Sequence, residues 1–146
     1  VRSAEFGVRS KGKGKAVAPS VTIIPAMRSE APKIYNVTLL CDTPDLRTKG
    51  LQGFRQLEQD EAALFVFERT GPVSFWMGSV TFPIDIIFIG PDSKVGRVYP
   101  FCKPASLDVY PSIGSVKWVI ETAAGSGISV GDSVKFSSEL GARSAE

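Results

Sequence analysis

The stretch Ile84-Asp85-Ile86-Ile87-Phe88-Ile89-Gly90-Pro91-Asp92-Ser93 decides how this chain folds. Apart from Asp85, its first six residues are β-branched or aromatic. Their run is strand-sized, far short of the roughly 18 apolar residues a membrane span needs. Gly90-Pro91-Asp92-Ser93 is a turn cluster and residues 94–99 return as a second strand, so the two read as a hairpin. The same signals recur outward in both directions. Tyr35, Val37 and Leu39 alternate with Asn36 and Thr38 as a half-buried strand does. Leu64-Phe65-Val66-Phe67 is a short apolar strand broken by Thr70-Gly71-Pro72. Residues 73–77, 117–121 and 132–136 read as further strands, the last preceded by Gly125, Gly127 and Gly131. Only Thr43-Pro44-Asp45 announces a helix, over residues 44–51. Thr43 is the N-cap, Pro44 takes the first helical position, and Gly50 or Gly53 ends it. Seven strands and one short helix predict a mainly β fold, a compact antiparallel β-sandwich or barrel. Leu39, Leu64, Val66, Ile86, Phe88 and Val119 are its expected core.

The 146 residues suit one domain with its own core. The chain is 43% hydrophobic and 10% aromatic, which argues against disorder over most of it. It contains no histidine. That removes Ser-His-Asp and Cys-His nucleophiles, His-bearing zinc sites and imidazole acid–base steps. Two cysteines cannot make a four-thiolate site. No catalytic residue, metal or cofactor is therefore expected. Charge divides unevenly: residues 1–33 hold seven Lys/Arg against two Glu, and the rest holds ten against thirteen Asp/Glu. The expected organisation is a basic, extended arm or leader remnant (1–33), a β domain (34–136) and a tail (137–146). The glycine-spaced Lys11, Lys13 and Lys15 lack interleaved aromatics, so nucleic acid is not the expected partner. With Ile23 and Ile24 they are instead candidate contacts to a protein partner in a larger assembly. The chain does not begin with Met. A processed form or a fragment is expected, with an exported or organellar location favoured over a cytosolic one.

The order of motifs then points to a family. Thr43-Pro44-Asp45, Arg47, Gly50-Leu51, Leu64-Phe65-Val66-Phe67, Phe75-Trp76-Met77 and Pro83-Ile84-Asp85 follow one another, closing with Tyr110-Pro111-Ser112, Val119-Ile120-Glu121 and Gly131-Asp132. Over roughly residues 35–136 this resembles domain-of-unknown-function family 192. The resemblance implies a β-rich, jelly-roll-like domain and brings no catalytic activity. It also shows departures. Gln52-Gly53-Phe54 follow Gly50-Leu51 and put Arg55 one place late; Ala62-Ala63 stand where the family tends to Gly-Met; Gly78-Ser79-Val80 replace Lys-Asn-Thr.

Four residues are candidates for ligand contact. Asp85 sits in an apolar strand, where a carboxylate needs donors or a pocket. Glu121 ends another strand and could meet Asp85 across the sheet, as an acid–base or metal-holding pair or, the favoured reading, as hydrogen-bonded loop anchors. Trp76 offers an aromatic face for stacking, and Arg55 an anion contact. Cys41 and Cys102 are a possible disulfide, worth about 4 kcal/mol in the chain-entropy picture if formed. Two functions follow: a non-enzymatic β-rich interaction domain held in an assembly through its arm, or a small-ligand-binding or hydrolytic domain built around Asp85, Glu121 and Trp76.

Overall fold

The computed structural model describes residues 4–5 and 19–140. Their elements are β1 (Ala4–Glu5), β2 (Ser20–Ile24), β3 (Lys33–Cys41), α1 (Pro44–Lys49), β4 (Glu61–Gly71), β5 (Ser74–Trp76), β6 (Ile84–Ile89), β7 (Val95–Cys102), β8 (Val109–Pro111), β9 (Val116–Ala123) and β10 (Ser133–Phe136). The fold is mainly β, one large sheet curled into a half-barrel, with a second helical turn at 138–140. Its strand order is β10-β2-β3-β4-β9-β6-β7, with β1 beside β3, while β5 and β8 form a separate two-stranded sheet. Every pair is antiparallel except β3 with β4. A parallel pair needs a crossover, which residues 42–60 supply through α1.

The central strands β6 and β9 are buried along their whole length. Alternate residues feed two cores. Leu64, Val66, Ile87, Ile89 and Ile120 face one, closed by β2 and β10 through Val21, Ile23 and Val134. Phe65, Ile84, Ile86, Phe88 and Val119 face the other, closed by Leu51, Leu57, Met77 and Phe82. All six expected core residues are buried. A ladder of edge-to-face rings crosses the second core, Phe65–Phe75–Phe88–Tyr99–Tyr110, with centroids 4.9, 5.8, 5.9 and 5.2 Å apart. It ties the small sheet to the large one. Such ring pairs add about 0.5–1.5 kcal/mol each beyond burial.

Helix α1 forms as its local signals require. Thr43 Oγ1 accepts the Leu46 N–H at 3.2 Å, and Pro44 opens the helix. Gly50, at φ 49°, closes it by donating its N–H to Leu46 O at 2.8 Å. Glycine suits this positive φ. A Cβ there would also press to 3.3 Å from the Phe65 ring.

The division at residue 33 needs correction. Ser20–Ile24 is an interior strand between β10 and β3, with Val21 and Ile23 fully buried. Five residues bracketed by Pro19 and Pro25 look like an extended arm locally; only pairing on both sides makes them part of the core. The expected mainly β fold dominated by antiparallel pairs stands, with β3–β4 as its one parallel pair among the described strands.

Candidate functional site

Between the C-terminal end of α1 and strand β5 lies a cleft of about 670 Å³. Phe65, Phe67 and Phe75 line its apolar part, and Thr48, Gln52, Ser74 and Ser79 supply neutral polar groups. Glu121 and Trp76 line it too.

Glu121 reaches the cleft because β9 alternates. Val119 and Glu121 share a face, turned toward the second core, and Glu121 pairs with Ala63 on one side and Ile86 on the other. Glu121 is 3% exposed, and no hydrogen bond to its carboxyl is found among the described residues. Burial pushes its carboxyl up from 4.5 to about 8, so at neutral pH it is largely a neutral acid, able to donate and to accept.

Trp76 is 54% exposed, while Phe75 turns into the aromatic ladder, as alternation along a strand demands. The indole lies against Gly78. A Cβ at residue 78 would stand 2.7–2.8 Å from three atoms of its six-membered ring. Arg47 also borders the cleft, but its Nη1 donates to Val66 O at 2.8 Å and its guanidinium lies 5.3 Å above the centre of the Phe67 ring. It staples α1 to β4.

Asp85 is placed elsewhere. It pairs with Thr122, whereas Glu121 pairs with Ile86, so the two carboxyls point to opposite faces and do not meet. At 1% exposure, Asp85 accepts from Phe101 N–H (2.9 Å), Gly125 N–H (3.3 Å), Ser126 N–H (2.9 Å) and the Ser126 hydroxyl (2.7 Å). The need is local. The register of β6 on β7 shifts between Ile84 and Ile86, leaving Pro100 and Phe101 opposite one residue as in a bulge, and Phe101 adopts φ 49°. The carboxylate catches an N–H that the bulge removes from the ladder.

Arg55 does not line the cleft. It forks onto Glu61, Nη1 to Oε1 at 2.7 Å and Nη2 to Oε2 at 2.8 Å, and holds that carboxyl below its usual range. The possible Cys41–Cys102 disulfide is not formed: both thiols are free and buried. Strands β4, β9 and β6 separate β3 from β7. Four spacings of about 4.8 Å exceed the Cα separation of about 7 Å that a disulfide tolerates, even along a curled sheet. Burial, with Glu121 nearby, pushes each thiol up to about 12. Ile23 faces the core and Ile24 is half-buried, so neither forms an open contact strip. Lys11, Lys13 and Lys15 lie outside the described residues. Among the described residues no three His, Cys, Asp or Glu side chains gather as metal ligands, and no helix is long and apolar enough to cross a membrane. Sequence reasoning passed over Thr48, Ser74 and Ser79, which carry no local signal.

Similar solved structures include the following two. One is a Sinorhizobium meliloti 1021 protein described as a "putative transcription regulator", 30% identical, with TM-score 0.75 over 86% of this chain and 98% of that one. The other is a protein of unknown function from Novosphingobium aromaticivorans DSM 12444, 25% identical, with TM-score 0.75 over 86% and 99%. Among curated proteins none matches. The family profile matches residues 27–136, most of the chain, through both walls of the cleft and the Asp85 clamp. The chain belongs to the family DUF192, "Uncharacterized ACR, COG1430".

Proposed function

We propose that this domain binds a small polar ligand in the cleft between α1 and β5 and performs no chemistry on it. The carrying observation is Glu121. A buried carboxyl is costly to keep in its charged form, and among the described residues no hydrogen bond satisfies this one; it stands in the wall of a cleft large enough for a ligand, with an exposed Trp76 on the same cleft. Catalytic alternatives lack parts. Asp85 is on the other face, so Glu121 has no second carboxylate among the cleft residues. The thiols, raised to about 12, are not thiolates at neutral pH. The assembly reading loses its apolar anchor, because Ile23 is buried in the chain's own sheet. The label on the Sinorhizobium relative finds little support either, since residues 34–146 carry more acidic than basic side chains.

A thermal-shift screen of small polar compounds on the full chain tests this. Hits should disappear in both Trp76→Ala and Glu121→Leu. If no compound raises the unfolding temperature, or hits ignore both substitutions, the cleft is not a binding site.

A further inference from the structure

We infer that the ligand of this cleft is a saccharide, its ring stacked on Trp76 and its hydroxyls bonded to Glu121 and the neutral polar rim. The inference rests on the binding reading above and narrows it to one chemical class.

Three features of the cleft converge on a sugar ring. The first is the platform. One side of the Trp76 six-membered ring rests on Gly78, where any side chain would intrude, and the residue as a whole is half open to solvent. A flat, supported aromatic face takes the C–H face of a pyranose and holds it without a charge. The second is the polar complement. Glu121 in its neutral form donates one hydrogen bond and accepts others, as a sugar hydroxyl does, and Thr48, Ser74, Ser79 and Gln52 have the same dual character. A ligand rich in hydroxyls satisfies such a wall; an apolar one leaves the acid unpaired. The third is charge. Lys49 and Arg47 also border the cleft, and among the described residues Glu121 is its single carboxyl. A cationic ligand would face two cations and one neutral acid. A ring bearing a carboxylate is compatible with Lys49, so neutral and acidic sugars share the proposed chemistry. The cleft of about 670 Å³ falls within the range of about 300–1,000 Å³ typical of small-ligand sites.

The test is titration calorimetry of the full chain at millimolar concentrations of methyl glucoside, methyl galactoside, N-acetylglucosamine and glucuronate, with tetramethylammonium as the cationic arm. At least one saccharide should saturate. Trp76→Ala should weaken it by about tenfold or more, and Trp76→Phe by less. Glu121→Gln, which copies the neutral acid, should keep binding within about threefold, whereas Glu121→Leu should cost about tenfold. Trp76 is half-exposed and Gln is isosteric with Glu, so these two variants keep the fold. Glucuronate binding alone would identify the acidic sugar as the source. Saturation by tetramethylammonium and by no saccharide, lost in Glu121→Gln, would overturn the saccharide and leave the cleft a binding site. Saccharide binding indifferent to Trp76→Ala would overturn the stacking. Failure of these probes and of the wider screen together would overturn both readings.

Discussion

Asp85 and Glu121 stand on neighbouring strands, one residue out of register, and the sheet turns their carboxyls to opposite sides. One is saturated by four donors and fastens loops; the other finds none among the described residues and borders a cleft. The same residue class thus performs two tasks, and each can be tested separately.

Glu121 makes stability depend on pH. Its carboxyl titrates near 4.5 unfolded and about 8 folded, because burial penalises the charge. Between those values the folded state holds a proton that the unfolded chain has released. This contribution is fully present below about pH 4.5, falls through the window and levels off above about pH 8, a loss on the order of 5 kcal/mol. Glu121→Gln abolishes the slope. Urea midpoints near pH 5 and pH 9 should converge for the variant and diverge for the native chain; parallel behaviour would refute the assignment.

Asp85→Ala should destabilise by about 3–5 kcal/mol, since it leaves the Phe101, Gly125 and Ser126 N–H groups without their acceptor. Chemical denaturation measures this. A loss below about 1 kcal/mol would mean that water replaces the carboxylate.

Cys41 and Cys102 should react with a thiol reagent only at the rate of global unfolding, being buried and raised to about 12. Reductant should leave the unfolding temperature unchanged. Prompt labelling of either thiol in the folded chain would contradict the packing.

Removing residues 1–26 should prevent folding, because it extracts β2 from between β10 and β3 and empties the places of Val21 and Ile23. Circular dichroism of the shortened chain decides it. A cooperative native-like transition would show that β2 is dispensable.

Gly78→Ala should move the Trp76 ring, which lies 2.7–2.8 Å from the new Cβ. Stability should change by no more than about 0.5 kcal/mol, because the ring is half-exposed and free to swing. Ligand affinity should drop with a shift in Trp emission; unchanged emission would show that the ring does not rest there.

What was legible in the sequence was local. Thr43, Pro44 and Gly50 specify α1 by themselves, since capping involves only near neighbours. The Ile84–Ile89 run and its turn specify a hairpin for the same reason. The proposed Asp85–Glu121 pair failed because facing depends on register, and one residue of slip reverses it. Nothing in either strand's own residues fixes that. The core role of β2 was hidden by its flanking prolines. Cys41 and Cys102 illustrate the same limit, because their separation is set by the strand order between them. At the cleft, Trp76 was readable as an aromatic half in and half out, but its support by Gly78 was not.

The aromatic ladder has a mechanical consequence. Because successive rings stand nearly edge to face, the β5–β8 sheet cannot tilt without dislodging several contacts together. Strand β5, carrying Trp76, is therefore a fixed jaw. The opposing α1 is six residues long, none of them fully buried, with Leu46 partly buried against the second core. Of the two walls of the proposed binding cleft, β5 is thus the braced one, and α1 is tied to the sheet through the polar contacts of a single side chain, Arg47, like a door hung on one pin.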